Sequence, residues 1–132
     1  MNTVRPCPST ATACAGAWFE QHADEYERIL YHFGNSPVHA HMVDLVERQP
    51  GVVVLHDFFL GDLSRCTESL GQRAYAWALD LYEAHGYAAV ADRFRHSPSW
   101  PTLRRYPCNT IAIGNALGVV VHSNNARVLA RR

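Results

Sequence analysis

The chain has no lysine, so its 12 basic residues are all arginine, and they are matched by 12 acidic residues. The formal net charge at pH 7 is therefore zero. Proteins that bind nucleic acid or an anionic membrane surface usually carry an excess of basic residues. We therefore expect no nucleic-acid partner.

Long apolar runs and clustered cysteines are also missing. No apolar run approaches the roughly 18 residues of a membrane-spanning helix, and the amino-terminal stretch lacks the apolar core of a secretory signal. The 4 cysteines are widely spaced and form no C-x-x-C pair, which argues against a zinc site and favours free thiols in a reducing compartment. These absences predict a cytoplasmic protein without a metal centre.

The 132 residues suit one domain, and an apolar content of 48% can fill a modest core. Residues 1–17 are rich in Pro, Ser, Thr and Ala and show no periodicity, so we expect a loose amino-terminal segment. The organised domain is expected over residues 18–132.

Three segments are predicted to be strands, at residues 27–33, 51–56 and 118–123. The unbroken apolar run Val52–Leu55 is typical of a parallel strand that is buried on both faces. Segments with helical spacing separate the strands, which predicts an α/β fold with a Rossmann-like parallel sheet of about three strands and flanking helices. Because this sheet is small, we expect an uncovered apolar edge or face, marginal stability and self-association.

Capping residues predict where the helices begin. Ser36 is the expected N-cap of the helix that precedes strand 51–56, and Asp57 that of the helix that follows it. Further helices are predicted over residues 72–85 and 107–117.

A short repeat points to the functional residues. GVVVLHD at 51–57 resembles GVVVHS at 118–123, and the first strand ends in HFGNS at 32–36. Because ligands bind outside the carboxyl edge of an open parallel sheet, the residues at these strand ends should gather at one site. The predicted set is Gly34, Asn35, Ser36, His56, Asp57, His122 and Ser123.

His56 and Asp57 are the main candidates for catalysis. An imidazole with a pKa near 6.5 can bind a substrate hydroxyl or transfer a proton at neutral pH. The alternative is a structural histidine followed by a helix cap, and the position at a strand end leaves both interpretations open. Gly34 and Asn35 precede a helix, where backbone N–H groups can hold an anion, although an ordinary strand-to-helix turn uses the same residues.

The remaining histidines predict no metal centre. His39 lies in the first turn of a predicted helix and could face the strand ends, but its spacing from His41 does not make a metal-ligating pair. Metal binding at the strand ends is geometrically conceivable, yet no H-x-x-x-H pattern or cysteine supports it. Such a site would use His32, His56 and His122.

The segment YHFGNSPVHAHMVDLVERQPGVVVLHDFFL, residues 31–60, resembles part of the bacterial glycosyltransferases of the two-Rossmann-domain (GT-B) type, in the group that includes family 4. Those proteins carry a phrase like Y-x-x-GN-(N/S)-P-x-HA followed by PGVVVLHD, and later YPLN and GVIVHS. Here YPCN at 106–109 and GVVVHS at 118–123 match the later phrase. The resemblance covers residues 25–130.

The resemblance implies transfer of a sugar from a nucleotide-sugar donor to an acceptor, without a metal or cofactor. In such enzymes the amino-terminal domain mainly binds the acceptor, which could be membrane-associated, and a second domain mainly binds the donor. His56 would lie near the transferring sugar, with Asp57 beside it as the second catalytic residue. The residues implied to bind substrate are Gly34, Asn35, His39, His122 and Ser123.

The sequence departs from the family at both ends. Residues 1–25 do not supply the family's first strand and glycine-rich loop, and no donor domain with an E-x(7)-E phrase follows Arg132. We therefore expect an incomplete half of a GT-B amino-terminal domain that needs a missing or separate donor domain, because transfer requires both substrates to be positioned together. The alternatives are a non-catalytic carbohydrate-binding or interaction module, or a small hydrolase that uses His56, Asp57 and His122.

Overall fold

A computed structural model describes residues 15–95 and 100–130. The strands in these ranges are β1 (Leu30–Phe33), β2 (Val52–Leu55) and β3 (Gly118–Val121). The α-helices in these ranges are α1 (Ala15–His22), α2 (His41–Arg48), α3 (Gly61–Ser69), α4 (Ala76–His85), α5 (Tyr87–Arg95), α6 (Trp100–Arg105), α7 (Thr110–Ile113) and α8 (Asn124–Leu129). Two 3₁₀ turns cover Ala23–Glu25 and Pro37–His39. Most of the predicted loose segment, residues 1–14, lies outside the described residues.

The strands form one parallel sheet in the order β1-β2-β3. Helices connect the strands in sequence, so the chain has an α/β fold whose arrangement is consistent with a Rossmann-like domain. This confirms the predicted class and strand number. The residues of β2 pair with β1 on one side and β3 on the other, and Leu55 lies between Phe33 and Val121.

One face of the sheet forms the main core. Tyr31, Phe33, Val53 and Leu55 point to this face and are at most 4% exposed. They pack against side chains from α2, α3, α7 and the loop before α3. The buried partners are Leu45, Val46, Leu60, Leu63 and Ala112.

The opposite face is covered only in part. Val54 at its centre is 6% exposed, whereas Leu30 and Val120 on the flanking strands are 56% and 47% exposed. The sequence-based expectation of an uncovered apolar face is therefore confirmed for the described residues.

A second core lies among α4, α5 and α6. It is built from Trp77, Leu81, Ala89, Leu103 and Cys108. Cys66 and Cys108, the cysteines within the described ranges, are both free thiols. None of the described helices is long and apolar enough to cross a membrane.

The two predicted helix caps have different outcomes. Ser36 stands at the N-cap position of the 3₁₀ turn Pro37–His39, but its side chain makes no capping hydrogen bond. The prediction for Asp57 is wrong, because it lies four positions before α3, which begins at Gly61. The amino terminus of α3 is capped from another part of the chain, because Leu63 N donates to Asn35 Oδ1 at 3.1 Å.

Two predicted helices are shorter than expected. The helix predicted over 72–85 begins at Ala76, where Glu68 of α3 accepts a hydrogen bond from Trp77 N at 3.0 Å. The helix predicted over 107–117 is reduced to Thr110–Ile113. It cannot start at Pro107, because Cys108 has a φ of 51°, in the left-handed region that does not continue a right-handed helix.

Candidate functional site

The carboxyl ends of the three strands meet at one edge of the sheet. His56 follows β2, and its backbone N–H extends the ladder by donating to Phe33 O at 2.8 Å. His122 follows β3 at the position next to His56, because the preceding residues Leu55 and Val121 are paired. The three strand ends that the sequence repeat singled out are therefore neighbours in the fold.

Three exposed imidazoles form a row across this edge, which we call the histidine row: His32, His56 and His122. His32 Nδ1 lies 2.9 Å from His56 Nε2, a hydrogen-bond distance. The ring centroids of this pair are 5.2 Å apart, and those of His56 and His122 are 4.8 Å apart. The interplanar angles of 24° and 28° show that the rings are stacked.

The row follows from strand alternation. His32 is paired with Val54, and residues two positions apart on a strand point to the same face. His56 therefore projects on the same side as His32, which is the partly uncovered face of the sheet. This places all three rings where a ligand in solution can reach them.

Asp57 is held in place by the backbone of the first strand end. Asn35 N donates to Asp57 Oδ2 at 2.8 Å, which joins the loop after β1 to the loop after β2. Asp57 is exposed, so solvent can reach it. Asp57 thus has the position of a site residue although it is not a helix cap.

Gly34 packs closely against two of these side chains. A Cβ at this position would lie 3.0 Å from His39 Nε2 and 3.4 Å from Asp57 Oδ2. The absence of a side chain therefore lets His39 and Asp57 approach the backbone from the site side.

The Asn35 side chain is fully engaged in the scaffold. Its oxygen caps α3 at Leu63 N, and its Nδ2 lies 3.4 Å from Asp62 Oδ2 in the first turn of the same helix. The turn at residues 34–36 therefore connects three parts of the fold, namely β1, the loop that carries Asp57, and α3.

His39 lies in the 3₁₀ turn before α2, within reach of Asp57 and the histidine row. Burial lowers the pKa of His39 below 6.5, and the nearby His41 and His56 lower it further. The His32 backbone and Asp57 act in the opposite direction but do not reverse the shift. His39 is therefore largely neutral at pH 7 and can exchange hydrogen bonds with a hydroxyl group.

Ser123 is used by the fold. Its hydroxyl accepts a hydrogen bond from Ala126 N at 3.0 Å and caps α8. His122, the preceding residue, remains exposed in the histidine row.

The YPCN segment supports the loop after His56, a role that sequence analysis did not assign. Leu60 N donates to Pro107 O at 2.7 Å, and Asn109 Nδ2 donates to Phe58 O at 3.1 Å. Cys108 N donates to His85 Nε2 at 3.2 Å. These contacts join residues that are far apart in the sequence, so no local pattern could have revealed them.

Cys108 itself is not a candidate nucleophile. Burial raises the pKa of its thiol to about 12, and the nearby Asp80 carboxylate adds to this effect. The thiolate that attacks in covalent catalysis is therefore not populated at neutral pH.

The histidine row lacks the arrangement of a metal centre. Among the described residues, no three or more His, Cys, Asp or Glu side chains converge as ligands. Stacked imidazoles with a carboxylate beside them can instead donate to and accept from hydroxyl groups, and can relay protons near neutral pH.

Fold and site together define an α/β domain whose candidate site lies at the carboxyl edge of a parallel sheet. Searches against family models, curated proteins and solved structures found no match to the chain.

Proposed function

We propose that this chain is the acceptor-side half of a GT-B type glycosyltransferase, which transfers a sugar from a nucleotide-sugar donor to an acceptor. The donor would be bound by a separate domain or chain. The observation that carries this proposal is the meeting of two distant segments at one sheet edge. His56 and Asp57 come from the resembling segment 31–60, and His122 comes from the second phrase, some 65 residues later.

The position of His56 supports a role in transfer. It follows the central strand, is exposed, and has a hydrogen-bond partner in His32 on one side and the stacked ring of His122 on the other. Such an imidazole can accept a hydroxyl proton or hydrogen-bond to the sugar that is transferred. Asp57 and His39 lie on the same side of Gly34 and extend this polar surface.

Some of the candidate residues could contact a ligand directly, whereas others only position those residues. Asp57, His39 and His122 present polar groups at the edge, so a ligand can contact them. Asn35 and Gly34 instead position these side chains. The backbone N–H of Asn35 donates to Asp57, and the missing side chain of Gly34 leaves room for the His39 ring. Ser123 positions α8, which follows His122 directly.

The second candidate function is a non-catalytic interaction or carbohydrate-binding module. The observation that favours it is the partly uncovered sheet face, on which Leu30 and Val120 are about half exposed. Apolar surface of this kind commonly marks a contact with another protein surface. A module of this type would bind a carbohydrate without needing a donor domain.

A transfer assay separates the two functions. The chain would be combined with the product of a neighbouring reading frame that encodes a nucleotide-sugar-binding domain, and radiolabelled UDP-glucose and GDP-mannose would be supplied with a cell-extract acceptor fraction. We expect transfer only when both proteins are present. His56→Ala should reduce it by about 100-fold or more, the usual contribution of a general acid or base.

His41→Ala is the matched control, because it removes an exposed histidine of α2 that is not part of the histidine row. It should leave transfer near the wild-type rate. Full activity of His56→Ala would remove the catalytic assignment, and sugar binding by the chain without any transfer would favour the binding module.

A further inference from the structure

His32 falls at an unspecified position of the phrase Y-x-x-GN, so the family resemblance gives it no role, yet it makes the direct polar contact to His56. We propose that His32 is a positioning residue, which holds the His56 ring in one orientation and one tautomer so that Nδ1 of His56 faces the substrate. The catalytic use of His56 in this inference rests on the proposed function, whereas the tautomer of His56 does not depend on it.

The contact requires a defined arrangement of protons. At 2.9 Å between His32 Nδ1 and His56 Nε2, one nitrogen must carry hydrogen and the other must offer a lone pair. Two protonated rings cannot make this bond. The pair therefore contains at least one neutral imidazole whenever the contact is present.

The direction of the bond follows from the tautomers. If both rings are Nε2–H, the form that histidine side chains favour in water, His56 Nε2 donates to His32 Nδ1. Between two neutral rings, the opposite direction needs both in the less favoured Nδ1–H form. The 2.9 Å distance fits either direction, so it is the tautomer preference of neutral histidine that favours the Nε2–H pair.

This arrangement leaves Nδ1 of His56 unprotonated. No described residue makes a hydrogen bond to that nitrogen, so it is free to accept one from a hydroxyl group. The His122 ring, stacked at 4.8 Å on the other side, limits rotation of the His56 ring. His32 thus selects which nitrogen acts as the base, as hydrogen-bond partners of histidines in active sites commonly do.

Burial does not account for the contact. His32 and His56 are both exposed, so their stacking removes little apolar area from water. A purely structural role for His32 would also leave the protonation state of His56 unaffected. The tautomer is therefore the property that distinguishes positioning from packing.

The test is two-dimensional long-range ¹H–¹⁵N NMR of the histidine rings in the full chain at neutral pH. We expect His56 in the wild type to show a protonated Nε2 and an unprotonated Nδ1. His32→Phe, which keeps a flat ring but removes the acceptor, should give His56 the averaged signals of two exchanging tautomers. His32→Asn, whose side-chain oxygen can accept in place of Nδ1, should restore the wild-type pattern, and His41→Phe should not change it.

A protonated Nδ1 on wild-type His56, or an unchanged His56 spectrum in His32→Phe, would overturn the proposal. In the transfer assay, His32→Phe should lower the rate by about 10- to 100-fold, with partial recovery in His32→Asn. Failure of the proposed function would give a different result from failure of the positioning role. Transfer would then be absent or insensitive to His56→Ala, while the NMR result for the His56 tautomer could still hold. Wild-type transfer by His32→Phe in an assay that does depend on His56 would overturn the positioning role alone.

Discussion

At the scale of single residues, the histidine row and His85 lie in different environments, with different consequences. The histidine row is exposed at the sheet edge, where its rings contact one another and solvent. His85 is partly buried at the end of α4, where burial lowers its pKa. The first group is available for chemistry, whereas His85 is part of the scaffold that holds the YPCN segment.

The lowered pKa of His85 makes folding sensitive to pH. Because the folded state disfavours the charged ring, the unfolded chain takes up a proton first as the pH falls. The stability contribution of the neutral ring is complete above about pH 6.5, the unfolded value, and is lost as the pH falls towards the folded pKa. His39, whose pKa is also lowered, acts in the same direction.

The prediction is a lower urea midpoint at about pH 5.5 than at about pH 7.5. His85 Nε2 accepts the Cys108 N–H, so protonation also removes a hydrogen bond. His85→Gln, which can accept a hydrogen bond but cannot titrate, should lose less stability over this range than the wild type. His85→Leu should have a lower midpoint at both pH values. An identical pH dependence in wild type and His85→Gln would show that another group controls acid sensitivity.

At the scale of elements, the chain caps two of its helices from a distance. Asn35, which follows β1, accepts from Leu63 N in the first turn of α3, and Glu68 of α3 accepts from Trp77 N in the first turn of α4. Arg93 of α5 pairs with the same Glu68 carboxylate. α3 is thereby fixed to the turn after β1, and α4 to α3. The loop between β2 and α3 is held at both ends, because Asn35 also donates its backbone N–H to Asp57.

These caps explain what the sequence could and could not predict. The strands are visible because Val52–Leu55 and Gly118–Val121 are short apolar runs bounded by turn residues, which is a local signal. Asp57 resembles an N-cap in the sequence because it is an aspartate that follows a predicted strand and precedes a segment with helical spacing of apolar residues. Whether it caps depends on Asn35, 28 residues before Leu63, and such a contact exists only in the folded chain.

Substitution of Asn35 tests the long-range cap. Asn35→Ala leaves the Leu63 N–H without its acceptor and should lower the unfolding free energy by about 0.5 to 2 kcal/mol, the usual cost of losing an N-cap. Ser36→Ala is the matched control, because Ser36 makes no side-chain capping bond and its loss should cost less than about 0.5 kcal/mol. Urea unfolding of both variants gives the comparison. Equal stability losses would mean that the Asn35 contact does not stabilise α3.

At the scale of the whole molecule, the sheet is buried well on one side only. The face packed against α2, α3 and α7 forms a continuous core, whereas the face that carries the histidine row leaves Leu30 and Val120 about half exposed. The outer edge of β3 also presents Val119 without a charged or proline residue in the strand. Edges of this type pair readily with other chains.

The difference between the two sheet faces connects the candidate site to the binding of a partner domain. The histidine row lies on the side of the sheet that is partly uncovered, so a domain packed there would contact the three rings. In the proposed glycosyltransferase, a donor-binding partner on this side would bring its substrate next to His56. The exposed apolar residues and the candidate site would then belong to one interface.

The resulting prediction is that the isolated chain self-associates through the partly uncovered sheet face. Light scattering after size-exclusion chromatography should show a mass that rises with protein concentration. The double variant Leu30→Ser with Val120→Ser should remain closer to the monomer mass, since it removes exposed apolar surface without opening the core.

Leu70→Ser is the control for this effect, because Leu70 is 62% exposed at the end of α3 rather than on the sheet. It should associate like the wild type, which would show that the position of the apolar surface matters and not its amount. A wild-type chain that stays monomeric at all concentrations, or a double variant that associates as strongly, would contradict the interface. A neighbouring nucleotide-sugar-binding protein that suppresses the wild-type association would connect this face to the proposed transfer reaction.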